Sequence, residues 1–456
     1  MTKSNMTTEK SGSKPIENGK NVTMEGMRFF YDSSLVTKEQ IEALSAPLLP
    51  YIDKLQLVAD GGHYDVNESS INLPFDERML QEVKDLREKK VSKKLKYIID
   101  IGIGGSNLGT KAIYDAKFGS FDLLQPKRFP KMIFADTNDP EYLVSLSQFL
   151  KTEIHDPDEV LICVISKSGS TTETVANFAI IQNVLSEKFG DIRDRIVAIT
   201  DFESNFWKKA QEKGISTLAI PKTTGGRYSV MSPVGLFPLL AGGIDVEAMR
   251  SGARKQRDLA LTKDILQNPA ALSAIILYHH YKNGISINDN FIFSPALESL
   301  GKWYRQLMGE SVGKDGKGIT PTVSIGSTDM HSVGQLNLGG PKDKVTTFIS
   351  CGNPSEDPRV PANMLLPDLV ANLGDKPVSA IMSAILSGVK KAYEGKSLPF
   401  AEVVFPKQNE EAIGEFMQFK MIEMMFLGQL MGVNPFDQPD VEYYKVETRR
   451  VLSGQA

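Results

Sequence analysis

The chain has 456 residues, 41% of them hydrophobic, which is room for two or three compact domains with full cores. A net charge of -4 drawn from 52 basic and 56 acidic side chains provides no basic field, arguing against nucleic-acid or anionic-membrane partners and for a small molecule. Cys163 and Cys351 lie far apart in apolar runs and are expected as buried free thiols in a reducing compartment; no stretch reaches the ~20 apolar residues of a membrane span, so the expected location is cytoplasmic.

Residues 1–22 are polar and poor in aromatics, and read as a flexible leader rather than a signal peptide. The glycosylation-type triplets at Asn21 and Asn67 carry no weight in a cytoplasmic chain. Ordered structure is expected to begin near Met27. From Lys96 onward, short β-branched runs alternate with helix-length amphipathic stretches, the pattern of βαβ units. Candidate parallel strands begin at Tyr97, Met132, Val160, Arg195 and Thr217, and together define a first α/β/α domain over 23–225. The alternation resumes at Asn290, Thr322, Val345 and Glu402, which predicts a second α/β/α domain over 226–430 with a cleft between the two. The Met- and Phe-rich stretch from Glu410 to Met431 is expected as a core or interface helix, and 431–456 as an arm packed on the body, carrying Lys445.

Ligands of open parallel sheets sit at the carboxyl ends of the strands, so chemistry is expected in the loops there. Asp100-Ile-Gly-Ile-Gly-Gly-Ser-Asn-Leu-Gly follows the first strand, and its glycines, with Gly105 and Ser106 at the centre, serve either a tight turn or backbone N–H approach to an anion. Ser166-Lys-Ser-Gly-Ser-Thr-Thr-Glu follows the strand ending at Ile165 and offers the hydroxyls of Ser166, Ser168 and Thr171 with the Lys167 ammonium. Together the two loops suit a phosphate monoester. A dinucleotide fingerprint fails in the first loop, because Asn107 stands where the third glycine belongs and Asp136 lies too far on.

Four residues could move protons or hold charge. Arg227 follows two glycines in an open stretch of backbone. Leu297 to Met308 reads as a helix ended by Gly309, with Glu310 just beyond the negative end of its dipole. His331 follows a predicted strand among small polar residues, unlike the adjacent His279 and His280 of a helix. Lys445 is ordinary by type, and only its Pro- and aromatic-rich context suggests a fixed position. No spacing of His, Cys, Asp and Glu suggests a metal site.

In order along the chain, the Gly102 to Gly109 loop, the Ser166 to Glu173 loop, Gly225-Gly-Arg-Tyr-Ser, Gly309-Glu-Ser with Gly313-Lys, Asp329-Met-His-Ser and Phe436-Asp-Gln-Pro-Asp-Val-Glu with Lys445 resemble the glucose-6-phosphate isomerase family, in its shorter bacterial form. Asp440 departs from the family, which usually has glycine there. The resemblance implies two sugar-isomerase (SIS-type) domains, no metal or nucleotide cofactor, and a homodimer in which His331 crosses to the partner's site. It implies reversible isomerisation of glucose 6-phosphate to fructose 6-phosphate, in glycolysis and gluconeogenesis. By resemblance Gly105, Ser106, Ser166, Lys167, Ser168 and Thr171 bind the substrate's phosphate end and Gln438 lines the site. Glu310 carries the proton, Arg227 stabilises enediolate charge, and His331 with Lys445 opens the ring. An isomerase that also takes mannose 6-phosphate or an amino-sugar phosphate, and a non-catalytic sugar-phosphate-sensing module, are the alternatives; the module would need the two loops but not Glu310, Arg227, His331 and Lys445 together.

Overall fold

The computed structural model describes residues 21–22, 26–367 and 369–454. Val160–Ile165 (β5) is apolar at every position and buried at every position, as a strand must be when helices cover both faces of its sheet. It is the middle of a five-stranded parallel sheet, flanked by Tyr97–Ile101 (β3) and Lys131–Phe134 (β4) on one side and by Ile196–Asp201 (β6) and Ser216–Ile220 (β7) on the other. Alternation separates its two faces. Ile98, Leu161 and Cys163 join one core, and Ile99, Ile162 and Val164 join another under the helices Pro140–Glu153 and Thr172–Phe189. The order β4-β3-β5-β6-β7 puts a switch in winding direction between β3 and β5, where such sheets open a crevice for ligand. The glycine loop follows β3 and the hydroxyl loop follows β5.

The second sheet holds Ile287–Ile292 (β8), Thr320–Ile325 (β9), Lys344–Cys351 (β10) and Phe400–Phe405 (β11), mutually parallel in the order β11-β10-β8-β9. Arg28–Phe30 (β2) runs antiparallel beside β11, and Asn21–Val22 (β1) pairs with β2. Two expectations change here. Asn21 and Val22, placed in the leader, form a strand, while Met1 to Lys20 lie outside the described residues. The segment from Met27, assigned to the first domain, completes the second sheet instead, because Phe29 is fully buried against Phe419 and the Met27 amide donates to the Glu415 carboxylate at 2.6 Å. β8 also begins three residues before the expected Asn290, with Asn288 and Asp289 hydrogen-bonded inside the sheet. Asn288 donates to Val345 O and Thr347, and Asp289 accepts from Thr322 and Ser324.

Glu410–Met431 is the expected core helix, buried along nearly its whole length. It crosses the helix Val246–Ala260 at backbone contact: a Cβ on Gly252 would lie 1.9 Å from Glu411 O, and one on Gly414 2.0 Å from Met249 O. It also anchors the helix Glu298–Val312, since the buried Tyr304 hydroxyl donates to Glu423 at 2.8 Å. The arm differs from its expected packing. Its helix, Pro439–Leu452, buries no side chain, and only the preceding loop is held. Cys163 and Cys351 are free thiols as expected, Cys163 buried and Cys351 partly so. Among the described residues no helix is long and apolar enough to cross a membrane.

Candidate active site

The loop after β3 turns at Gly104–Ser106 and meets the turn Gly226–Tyr228 at backbone contact. A Cβ on Gly105 would stand 2.2 Å from Gly226 C and 2.5 Å from Arg227 N, atoms that have no side-chain freedom to move aside. Glycine at 105 therefore sets the position of Arg227. Gly105→Ala should lower stability by about 1–3 kcal/mol or more, as overpacking does; a denaturant midpoint equal to that of the native chain would refute this contact.

Arg227 is 2% exposed and spends all five N–H donors on protein acceptors. Its Nε donates to the Ser311 hydroxyl at 2.9 Å, Nη1 to Glu310 at 3.2 Å and Gln438 at 2.8 Å, and Nη2 to Pro435 O at 2.6 Å and Asp437 O at 3.0 Å. Nη1 faces the Glu310 and Gln438 side chains, whereas Nε faces the fully buried Ser311 hydroxyl and Nη2 faces backbone carbonyls. The Glu310 side chain is 29% exposed and takes a second hydrogen bond from the Gln306 amide at 3.0 Å.

One expectation about Glu310 is corrected. The helix does not stop at Gly309 but runs to Val312, so Glu310 sits in its last turn and not beyond it. Glycine inside a helix costs about 1 kcal/mol without ending it. Gly309 meets open space, whereas a Cβ on Gly313, the actual end, would lie 2.5 Å from Gly309 O.

On the neighbouring strand, Ser166 is buried with its hydroxyl 3.1 Å from that of Thr171, and it accepts the Gly169 amide at 3.1 Å. This knots the hydroxyl loop ahead of the helix Thr172–Phe189, whose N-terminus favours an anion. Ser168 lies at the exposed tip and accepts from Ser170, and Lys167 donates to Lys222 O at 2.7 Å. Burial pulls the Lys167 ammonium down, opposed by Asp201.

Asp201, at the end of β6, has no counterpart in the sequence reading. Its amide and the Thr200 hydroxyl both donate to Lys167 O, which fixes that loop from the side. Burial pushes its carboxyl up to about 6, while Lys167 and Lys222 pull it down. An acid raised in this way holds its proton in the folded chain where the unfolded chain, at about 3.9, has lost it. Its contribution to stability therefore falls as pH rises from about 4 to about 6. Asp201→Asn should raise the melting temperature near pH 8 and leave it unchanged near pH 4; the same shift at both would rule out titration as the cause.

The structure thus joins Gly105, Arg227, Glu310 and Gln438 directly, with Ser106 in the Gly104–Ser106 turn and the Ser166 to Thr171 loop on the adjacent strand. It does not join the other two. His331 is exposed at the end of the Thr328–His331 turn, and Lys445 donates to Glu442 at 2.7 Å on the arm helix; among the described residues neither makes a hydrogen bond or ion pair with this cluster. The sequence reading misses Ser311, which bridges Arg227 and the Tyr228 hydroxyl, and Lys314, which holds the loop before Gln438. Both stand in quoted motifs, Gly309-Glu-Ser and Gly313-Lys, but nothing in residue type reveals their roles. A cavity of about 1300 Å³ opens elsewhere, between Ser350–Pro354 and the helix Val378–Gly395, and takes in none of these residues. The charged cluster, not cavity size, marks the chemistry.

Residues 76–342 match the family model described as phosphoglucose isomerase. A glucose-6-phosphate isomerase of Rubrobacter xylanophilus is 35% identical over 379 residues, covering 82% of this chain and 86% of that one. A probable glucose-6-phosphate isomerase of Methanococcus maripaludis is 32% identical over 363 residues, 80% of each. Among solved structures, a hypothetical protein from Thermus thermophilus is 32% identical with a TM-score of 0.80, over 90% of this chain and 96% of that one. A glucose-6-phosphate isomerase from Chlamydia trachomatis shares the fold at 21% identity and a TM-score of 0.78, over 95% and 90%.

Proposed function

The chain belongs to the phosphoglucose isomerase family, and we infer from this that it interconverts glucose 6-phosphate and fructose 6-phosphate as an aldose-ketose isomerase. The observation that carries the reading onto its own residues is the Arg227–Glu310 pair, 3.2 Å apart, beside the glycine loop at the β3–β5 switch. The hydroxyls of Ser106, Ser166, Ser168 and Thr171, with Lys167 and Gly105, hold the phosphate. Glucose 6-phosphate is mostly a closed hemiacetal, so isomerisation starts with ring opening. An acid protonates the ring oxygen as a base removes the anomeric hydroxyl proton, and the C1–O5 bond breaks to give an aldehyde. We assign this step to Lys445 with His331.

Glu310 then removes the C2 proton, and the electron pair moves through C1=C2 onto the aldehyde oxygen to form a cis-enediolate. Arg227 stabilises that charge through Nη1. Returning the proton to C1 while the O2 proton passes to O1 gives the ketose. His331 is exposed in the single chain. This suits a cytoplasmic homodimer in which His331 of the partner subunit completes each site. The test is fructose 6-phosphate formation by the purified chain. Turnover with glucose 6-phosphate supports the reading, and tight binding without turnover would favour a sensing module.

A further inference from the structure

We propose that the hairpin 313–318 is a two-lysine clamp and that Lys314 is a positioning residue for the helix carrying Lys445. The hairpin is tight. Lys314 and Lys317 exchange both backbone hydrogen bonds, at 3.0 and 2.8 Å, across Asp315 and Gly316, which have φ of 54° and 70°. The turn thereby throws the two lysine side chains onto the segment following the helix Glu410–Met431. Lys317 donates to Met431 O at 2.8 Å, the last residue of that helix, where a cation is favoured. The Lys314 side chain is 6% exposed, and its ammonium donates to Asn434 O, to Asp437 O at 2.5 Å and to Asp437 Oδ1 at 2.7 Å. All three of its protons are used.

The same loop closes on itself around that ammonium. Asn434 Nδ2 donates to Asp437 Oδ2 at 2.7 Å, and the Phe436 amide donates to Asn434 Oδ1 at 3.1 Å. An ammonium buried this far is costly unless every proton is accepted, and an apolar side chain would fill the same space without that cost. What the charge adds is direction, drawing in two carbonyls and a carboxylate along fixed lines.

Direction matters because the loop leads straight into the arm helix. That helix, Pro439–Leu452, buries no side chain, so its orientation is set at its base, where Gln438 is its N-cap residue. Arg227 holds the inner side of that base through Pro435, Asp437 and Gln438, and Lys314 holds the outer side. The clamp also begins one residue after the helix that ends at Val312 and carries Glu310. It ties the proton carrier and the ring-opening lysine to one rigid corner. This inference rests on the reading of Lys445 as the ring-opening acid.

The test uses the full-length protein and Lys314→Met. Hydrogen exchange should quicken across Pro439–Leu452 and stay unchanged across Glu298–Val312. The kcat/KM for glucose 6-phosphate should fall by up to about 100-fold, the effect of misplacing a catalytic group by about 1 Å. Affinity for an open-chain phosphorylated five-carbon aldonate, which needs no ring opening, should be retained. Lys317→Met removes only the grip on Met431 O and should give the same exchange pattern in weaker form, which keeps the proposal testable if Lys314→Met does not fold. Unchanged exchange in the arm helix, or an aldonate affinity that falls as far as kcat/KM, would overturn the proposal. An inactive native chain would defeat the isomerase reading instead, and the exchange contrast would still decide the clamp.

Discussion

Glu310→Gln should lower kcat by about 10²–10⁴-fold, the range general-base groups contribute, while leaving KM and the denaturant midpoint close to native. The substitution keeps the shape of the side chain and both of its contact points. The amide oxygen can still accept from Arg227 Nη1, which now donates at 3.2 Å, or from Gln306, which donates at 3.0 Å. The amide cannot take a proton from carbon. Because the Glu310 side chain is 29% exposed, the lost ion pair with Arg227 contributes modestly to folding, so the defect falls on the chemical step. A variant that keeps native kcat would remove Glu310 from the role of proton carrier. A variant that fails mainly in KM would make it a binding residue.

Arg227→Met should fail differently, losing activity and stability together. Removing a preorganised charge stabiliser raises the barrier by about 2.7–4 kcal/mol, or 10²–10³ in kcat. The folding cost adds to this. The 2% exposed guanidinium serves five acceptors, and its loss takes one hydrogen bond from each of Ser311, Pro435 O, Asp437 O and Glu310 and the donor that holds Gln438. Breaking such a buried cluster by removing its cation costs about 3–5 kcal/mol. Arg227→Lys should rescue little of either loss, since three donors on a flexible stem cannot replace a planar fork of five. Kinetics and urea unfolding of the two variants side by side would check this. Full activity in Arg227→Lys would show that charge alone suffices and that the fork is dispensable.

The contrast between these residues also marks what the sequence could reveal. β5 is legible because a six-residue apolar run bounded by a polar loop is what a doubly covered strand requires. The start of β8 is not, because Asn288 and Asp289 are buried by pairing with Val345, Thr347, Thr322 and Ser324, which only the folded sheet brings near. β2 reads as the onset of structure, but three residues carry no information about their partner strand. The two phosphate-type loops can be placed because both follow strands of one predicted sheet, although each cluster taken alone also serves turns and caps. Glu310 is singled out by the family resemblance, since a glutamate at a helix end is ordinarily solvated, and its helix end is misplaced because Gly309 suggests a stop that packing at Gly313 actually provides. Lys314 is invisible by type, because a lysine is ordinarily a solvated surface residue and its burial depends on carbonyls more than a hundred positions away. His331 and Lys445 rest on the family resemblance and the homodimer it implies.

The most direct measurement is to run the native chain on glucose 6-phosphate in deuterium oxide and examine C1 of the fructose 6-phosphate formed. In the proposed mechanism Glu310 would carry the proton as an acidic hydrogen that exchanges with solvent, so the account predicts product with deuterium at C1 on one face of the enediolate. Absence of fructose 6-phosphate, or product free of solvent deuterium at every stage of the reaction, would contradict it.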